Sequence, residues 1–191
     1  MNKILIFASG SGTNAKNIIE YFGTRTTGNV VAVFSNNSNA TVLEKAKKLD
    51  VPTVIFSKEE LNSGKVLQNI TDFKPDLIVL AGFLLKIPEN LIEAFPNRIV
   101  NIHPALLPKF GGKGMYGMHI HKAVVENNEK ETGITIHYVN ENYDEGNIIF
   151  QQIVSLSETD TPESVAVKIH ALEQEHFPVV IEKLLISTSN L

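Results

Sequence analysis

Short apolar runs alternate with amphipathic stretches through the first half of the chain. Residues 3–8 (KILIFA), 30–35 (VVAVFS), 52–56 (PTVIF), 76–82 (DLIVLAG) and 98–103 (RIVNIH) read as strands. The unbroken apolar run of the fourth is what a strand buried on both faces requires. Helical patterns separate them: from about Asn14 to Tyr21, over 40–49, a polar helix reaching Phe73, and 88–95, where Pro88 takes a favoured first-turn position. Strands alternating with helices imply right-handed crossovers and a mostly parallel sheet, so the fold class is α/β. The pattern then changes. Residues 133–139 (GITIHYV) alternate apolar and polar, and 147–156 (NIIFQQIVSL) follow after a short turn, which predicts two neighbouring antiparallel strands. A long amphipathic helix over 161–185 closes the pattern, bent near Pro178. No linker or repeat divides the chain, and a single domain over 1–191 is expected.

Composition narrows the class of function. A net charge of −4 argues against a nucleic-acid partner. The N-terminal apolar run is too short to cross a membrane and flows into glycines, so it reads as a strand rather than a signal peptide. With no cysteine, disulfides and thiolate chemistry are excluded, and a zinc site would have to use His and carboxylates. The lack of cysteine fits a reducing compartment, and a cytoplasmic protein is expected.

The first candidate for chemistry is ASGSGTN (8–14), between a strand and a helix. Gly10 and Gly12 let the backbone come close to a ligand, and Thr13 or Asn14 can cap the helix, whose N-terminus favours an anion. Thr-Asn follows GSG where a dinucleotide fingerprint would continue toward a third glycine, and no Gly-Lys-Ser/Thr ends the loop as in a P-loop. Two readings stay open: a tight turn that needs glycine anyway, or a small phosphate site. The second candidate is NIHPALLP (101–108). Asn101 and His103 share strand parity and face one way, at the carboxyl end of the fifth strand, where ligands of open α/β sheets bind. Asp144 sits in a later turn, Asp-Glu-Gly, which turn propensity alone would explain. Together, an amide, an imidazole and a carboxylate suit acyl transfer without a covalent intermediate. The amide and imidazolium would stabilise an oxyanion, and the carboxylate would orient the ring and raise its pKa above about 6.5. No G-x-S-x-G elbow competes with this reading.

SGSGTN, LAGFLLKIP, VNIHPALLPKF, GITIHYVNENYDEGNII and EQEHFPVVI, in that order over nearly the whole chain, resemble the phosphoribosylglycinamide formyltransferases of the folate-dependent formyltransferase superfamily. The resemblance implies a Rossmann-like formyltransferase fold, with a nucleotide-binding half over about 1–100 and a catalytic and folate half over about 101–191. It implies transfer of a formyl group from 10-formyltetrahydrofolate to the amine of glycinamide ribonucleotide, in purine synthesis, with no metal. Asn101, His103 and Asp144 match the catalytic trio. Gly12, Thr13 and Asn14 match the phosphate loop, and Glu173 a residue that binds the ribose. Leu84, Leu85, Lys86 and Ile87, together with Asn101, Glu141, Asn142 and Tyr143, match the folate pocket, and His137 a further position near the site. Without the resemblance, Leu84, Leu85 and Ile87 would be core, Glu173 a solvated helix face and His137 a structural strand residue. The partners implied are these two small molecules, with a monomer or homodimer and neither nucleic acid nor membrane. Three departures stand out. The segment 111–121 (GGKGMYGMHIH) is longer and richer in glycine than in many relatives; it either borders the site, with Lys113 reaching a substrate, or is an ordinary surface loop. Glu145 stands where many relatives have glycine, and Lys86 is displaced by one from the usual basic position. The alternatives are a sister formyltransferase or a formyltetrahydrofolate hydrolase using the same trio, or a non-catalytic nucleotide-binding module.

Overall fold

The computed structural model describes residues 1–188; the last three positions of the domain expected over 1–191 lie outside the described residues. Its strands are β1 (Asn2–Phe7), β2 (Gly28–Ser35), β3 (Thr53–Ile55), β4 (Leu77–Leu80), β5 (Ile99–His103), β6 (Glu131–Tyr138) and β7 (Ile148–Ser155). They form one sheet in the order β3-β2-β1-β4-β5-β6-β7. The pairings from β3 to β5 are parallel, and those of β5 with β6 and β6 with β7 are antiparallel, as the change in pattern predicts.

The period of two along each inner strand divides the core. Ile4, Ile6 and Ala8 join one apolar cluster, while Leu5 and Phe7 join another on the opposite face. Both faces are covered, hence the continuous apolar runs. The first cluster takes in α1 (Thr13–Phe22), α2 (Thr41–Lys48) and α7 (Pro162–Thr188); the second takes in α3 (Lys58–Asn62), α4 (Lys65–Phe73) and α5 (Glu89–Ala94).

Two elements differ from expectation. The polar helix ending at Phe73 is two helices, α3 and α4. Ser57 and Glu60 form a capping box at the start of α3, and Gly64, at φ 86°, separates it from α4. A helix, α6 (Met118–Glu126), occupies the end of the segment read as a loop; Ile120 and Val124, four residues apart, are buried by it. The expected long helix is α7, which continues through Pro178. Proline removes the N–H that would bond to the carbonyl four residues back. That carbonyl, on Gln174, instead accepts from Asn17 Nδ2 at 2.8 Å, so α1 supplies the bond that α7 lacks.

Candidate active site

The strand order reverses about β1, which lies between β2 and β4. Loops leaving β1 and β4 therefore diverge and open a crevice at the carboxyl ends of the strands. A cavity of about 660 Å³ lies there, lined by Gly10–Asn14, the segment Ala81–Leu84, Asn101, His103 and Asp144, with Ala166, Ile169, His170 and Glu173 of α7 closing one side.

The glycine loop is at the wall of this cavity, as expected, but Gly12 serves a different contact. It is the N-cap of α1 at φ 68°, and a Cβ there would lie 2.3 Å from Val42 Cγ2 and 2.8 Å from Val42 Cα. The close approach that needs glycine is thus to α2. At Gly10 a Cβ would meet nothing within 4 Å, which leaves room for a ligand. Nor does Thr13 or Asn14 cap the helix: α1 starts at Thr13, and its cap has no side-chain bond. The Asn14 amide is used elsewhere, donating to Glu173 Oε2 at 3.0 Å and accepting from Gln174 Nε2 at 2.7 Å. Glu173 is therefore no solvated face. Burial pushes its carboxyl up, against the lowering effect of Asn14 and His170.

β5 and β6 place the polar centre. In their register Asn101 pairs with His137, and His103 with Thr135. Thr135 is buried and its hydroxyl anchors the proline-rich block after His103. It donates to the Ala105 carbonyl at 2.7 Å and accepts from Leu107 N at 3.0 Å and Gln151 Nε2 at 2.9 Å. The Leu107–Pro108 peptide is cis. Asn101 Nδ2 lies 3.2 Å from His137 Nε2, whose Nδ1 lies 2.8 Å from the Tyr138 carbonyl. A carbonyl only accepts, so Nδ1 carries the proton, and in the neutral ring Nε2 accepts from the Asn101 amide. His137 thereby orients Asn101.

Asp144 bridges the two imidazoles. Its Oδ2 is 3.5 Å from His103 Nδ1, its Oδ1 is 3.7 Å from His137 Nε2, and Gly112 N–H donates to Oδ2 at 2.9 Å. Burial works to raise the Asp144 carboxyl. The neighbouring His137 and His103 imidazoles and the Gly112 N–H outweigh it and hold the carboxyl below its usual range. His103 Nε2 faces the Phe110 carbonyl at 2.8 Å, so both of its nitrogens look at acceptors. The expected rise in its pKa is nevertheless reversed. His103 is 3% exposed, and desolvation lowers the pKa by more than Asp144 and the Phe110 carbonyl raise it. The carboxylate is visible in the sequence, but the depth at which both groups are buried is not.

A smaller cavity of about 80 Å³ adjoins the first, sharing Phe83, Leu84, Asn101, Tyr143 and Asp144 with it. Leu84, Leu85, Lys86, Ile87, Asn142 and Tyr143 line it, and so does His137. Leu84 is 54% exposed whereas Ile87 is core, so the core reading holds for Ile87 alone of this pair. Glu141 is exposed and lines neither cavity. Glu145 is also exposed and outside both. The residue of that turn that must be small is Gly146, where a Cβ would lie 1.7 Å from the Tyr138 carbonyl oxygen. The sequence reading missed His121 and His170 as lining residues, and Ser9. The Ser9 hydroxyl donates to Asn36 at 2.6 Å and accepts from Leu84 N at 3.0 Å, tying the ends of β1 and β2 to the loop after β4. The periodicity of α6 would have placed His121 beside Ile120 and Val124 on the inward face, whereas His170 is exposed at the rim.

A sequence model of the formyl transferase family matches residues 2–181, and the chain belongs to that family. Within it, the chain is similar to proteins named phosphoribosylglycinamide formyltransferase. It is 40% identical to the chloroplastic protein of Arabidopsis thaliana over 91% of this chain and 61% of that one, so it spans about three-fifths of that relative's length. With the Bacillus subtilis (strain 168) protein it shares 32% identity over 97% of this chain and 95% of the other. The crystal structure of the Bacillus halodurans phosphoribosylglycinamide formyltransferase superposes with a TM-score of 0.88, at 37% identity, over 100% of this chain and 98% of that one.

Proposed function

We propose that the protein transfers the formyl group of 10-formyltetrahydrofolate to the amine of glycinamide ribonucleotide, giving formylglycinamide ribonucleotide and tetrahydrofolate. The observation that carries this reading is the position of Asn101, His103 and Asp144, where a cavity flanked by the glycine loop meets a second one flanked by residues 84–87. The ribonucleotide phosphate would lie at Gly10–Asn14 and its ribose at Glu173. The folate would enter over Leu84–Ile87, Asn142 and Tyr143. This work of small-molecule metabolism belongs in the cytoplasm, and it needs no metal.

In the reaction the amine nitrogen attacks the formyl carbon, the bond from that carbon to the folate nitrogen breaks, and a proton moves from the attacking to the departing nitrogen. Asp144 is the carboxylate placed to relay that proton. The Asn101 amide, turned by His137, donates to the oxyanion. His103 rests largely neutral near pH 7, because burial has lowered its pKa. Negative charge growing beside it during attack raises that pKa again, so the imidazolium forms together with the charge it stabilises. The test is turnover of the formylfolate with and without the ribonucleotide. Formation of formylated ribonucleotide that requires both supports the reading. Equal folate turnover without the amine would identify a hydrolase instead, and no turnover in either case a binding module.

A further inference from the structure

Residues 111–117 (GGKGMYG) form a strap over the larger cavity, which Gly112–Gly117 line. Its root is fixed. Gly112 N–H donates to Asp144, and a Cβ on Gly111 would lie 2.6 Å from Leu107 Cδ2 and 3.3 Å from Asp144 Cβ. Its far end becomes α6, which packs against α7. Between these ends Gly112 and Gly114 have φ of 94° and 91°, yet a Cβ on either would meet nothing within 4 Å. Glycine is needed there for the path of the backbone and not for space. Met115 packs against the small cluster of Ala105, Ile120 and Val124, while Lys113 is exposed.

Charge decides what the strap carries. The cavity holds two carboxylates, Asp144 and Glu173. The glycine loop offers only neutral side chains and backbone dipoles to an anion. Among the described lining residues Lys113 is the sole lysine or arginine. It is exposed, and it has no hydrogen-bond or ion-pair partner among the described residues. A phosphate monoester entering a cavity with two carboxylates needs a cation that is not already engaged.

We propose that Lys113 is the phosphate-binding cation of this site: the strap closes over the bound ribonucleotide and sets the Lys113 ammonium against the phosphate, opposite the glycine loop. The proposal rests on the ribonucleotide reading above. A lysine is a compact point charge on a flexible stem, suited to meeting a phosphate from a segment that moves. Lys113 is then a specificity residue, selecting phosphorylated over unphosphorylated amines, and takes no part in the chemical step.

The test compares wild type with Lys113→Met and Lys113→Arg. Calorimetry measures binding of ribose 5-phosphate and of ribose, and kinetics measure KM for each substrate. Lys113→Met is expected to weaken ribose 5-phosphate binding and raise the ribonucleotide KM by roughly tenfold to a hundredfold, the span for a charge-assisted hydrogen bond. The folate KM, kcat and ribose binding stay within about threefold of wild type, and Lys113→Arg restores most of the affinity. A rise confined to the folate KM would place Lys113 on the folate carboxylates and overturn the proposal, as would unchanged ribonucleotide KM in an enzyme that turns over normally. Should the wild type fail to formylate the ribonucleotide yet bind ribose 5-phosphate through Lys113, the functional reading falls and the phosphate site stands.

Discussion

Gly12→Ala adds one methyl group at the N-cap of α1, in two kinds of conflict. The residue must hold φ near 68°, which costs a non-glycine residue roughly 1–2 kcal/mol. The new Cβ would also lie 2.4 Å from Val42 Cβ and 2.8 Å from Val42 Cα. A rotamer change cannot relieve contact with Cα, so either α2 or the glycine loop must shift, at the roughly 1–3 kcal/mol typical of overpacking. The expected loss of stability is about 2–5 kcal/mol, out of the 5–15 kcal/mol usual for a whole domain. Movement of the loop should also raise the ribonucleotide KM about tenfold or more, with little effect on the folate. Gly10→Ala is the control: it has no positive φ and open space around its Cβ, so stability should stay within about 0.5 kcal/mol. Urea unfolding at pH 7 measures the first effect and steady-state kinetics the second. Gly12→Ala as stable as Gly10→Ala, with normal KM, would refute the argument that the contact with α2 sets the loop.

Asp144→Asn removes the charge that supports the His103 imidazolium, so the His103 pKa should fall further and turnover by roughly 10²–10⁴; NMR titration of His103 and saturating kinetics check this, and near-normal turnover would remove Asp144 from the mechanism. Thr135→Val keeps shape but strands the buried Leu107 N–H and Ala105 carbonyl, at about 2–4 kcal/mol in chemical denaturation; a cost under about 0.5 kcal/mol would show that the block is held by other contacts. Burial lowers the pKa of both His103 and His121, so below about pH 6.5 the unfolded chain binds more protons than the folded one, and stability must drop as pH falls from there toward the folded values. His121→Leu, which also removes a buried Nδ1 without a hydrogen-bond partner among the described residues, should lessen that drop between pH 7 and 5; an identical slope in the variant would assign the acid sensitivity elsewhere.

The sheet was legible because its information is local. Ile4 and Ile6 facing one way, with Leu5 and Phe7 the other, write a doubly covered strand directly into the order of residues. The change from unbroken to alternating apolar pattern marked the parallel-to-antiparallel boundary. The break at Gly64 and the start of α6 at Met118 were not legible, since each depends on a glycine whose role is settled only by its φ. At the site, strand parity brought Asn101 and His103 together, and the family resemblance added Asp144. What could not be read was depth. Desolvation of His103 depends on everything packed around it, and it reversed the sign inferred from one neighbouring charge. The Gly12 contact was hidden for the same reason, because α2 is close to it only in three dimensions.

The helices α1 and α7 are stitched together along their length. Asn14 bonds to Glu173 and Gln174, Asn17 to the Gln174 carbonyl, and the Tyr21 hydroxyl to Glu182, which also accepts from Thr27. The glycine loop and Glu173 therefore move as one body, and the entropy of ordering that wall is lost when the chain folds. The strap at 111–117 is the opposite wall, held at its root by the Gly112 bond to Asp144 and at its far end by α6, and in the closing proposed above it is the wall that moves. A site divided in this way captures first and encloses second: the rigid wall sets how fast a ligand is recognised, and the loose one sets how long it stays.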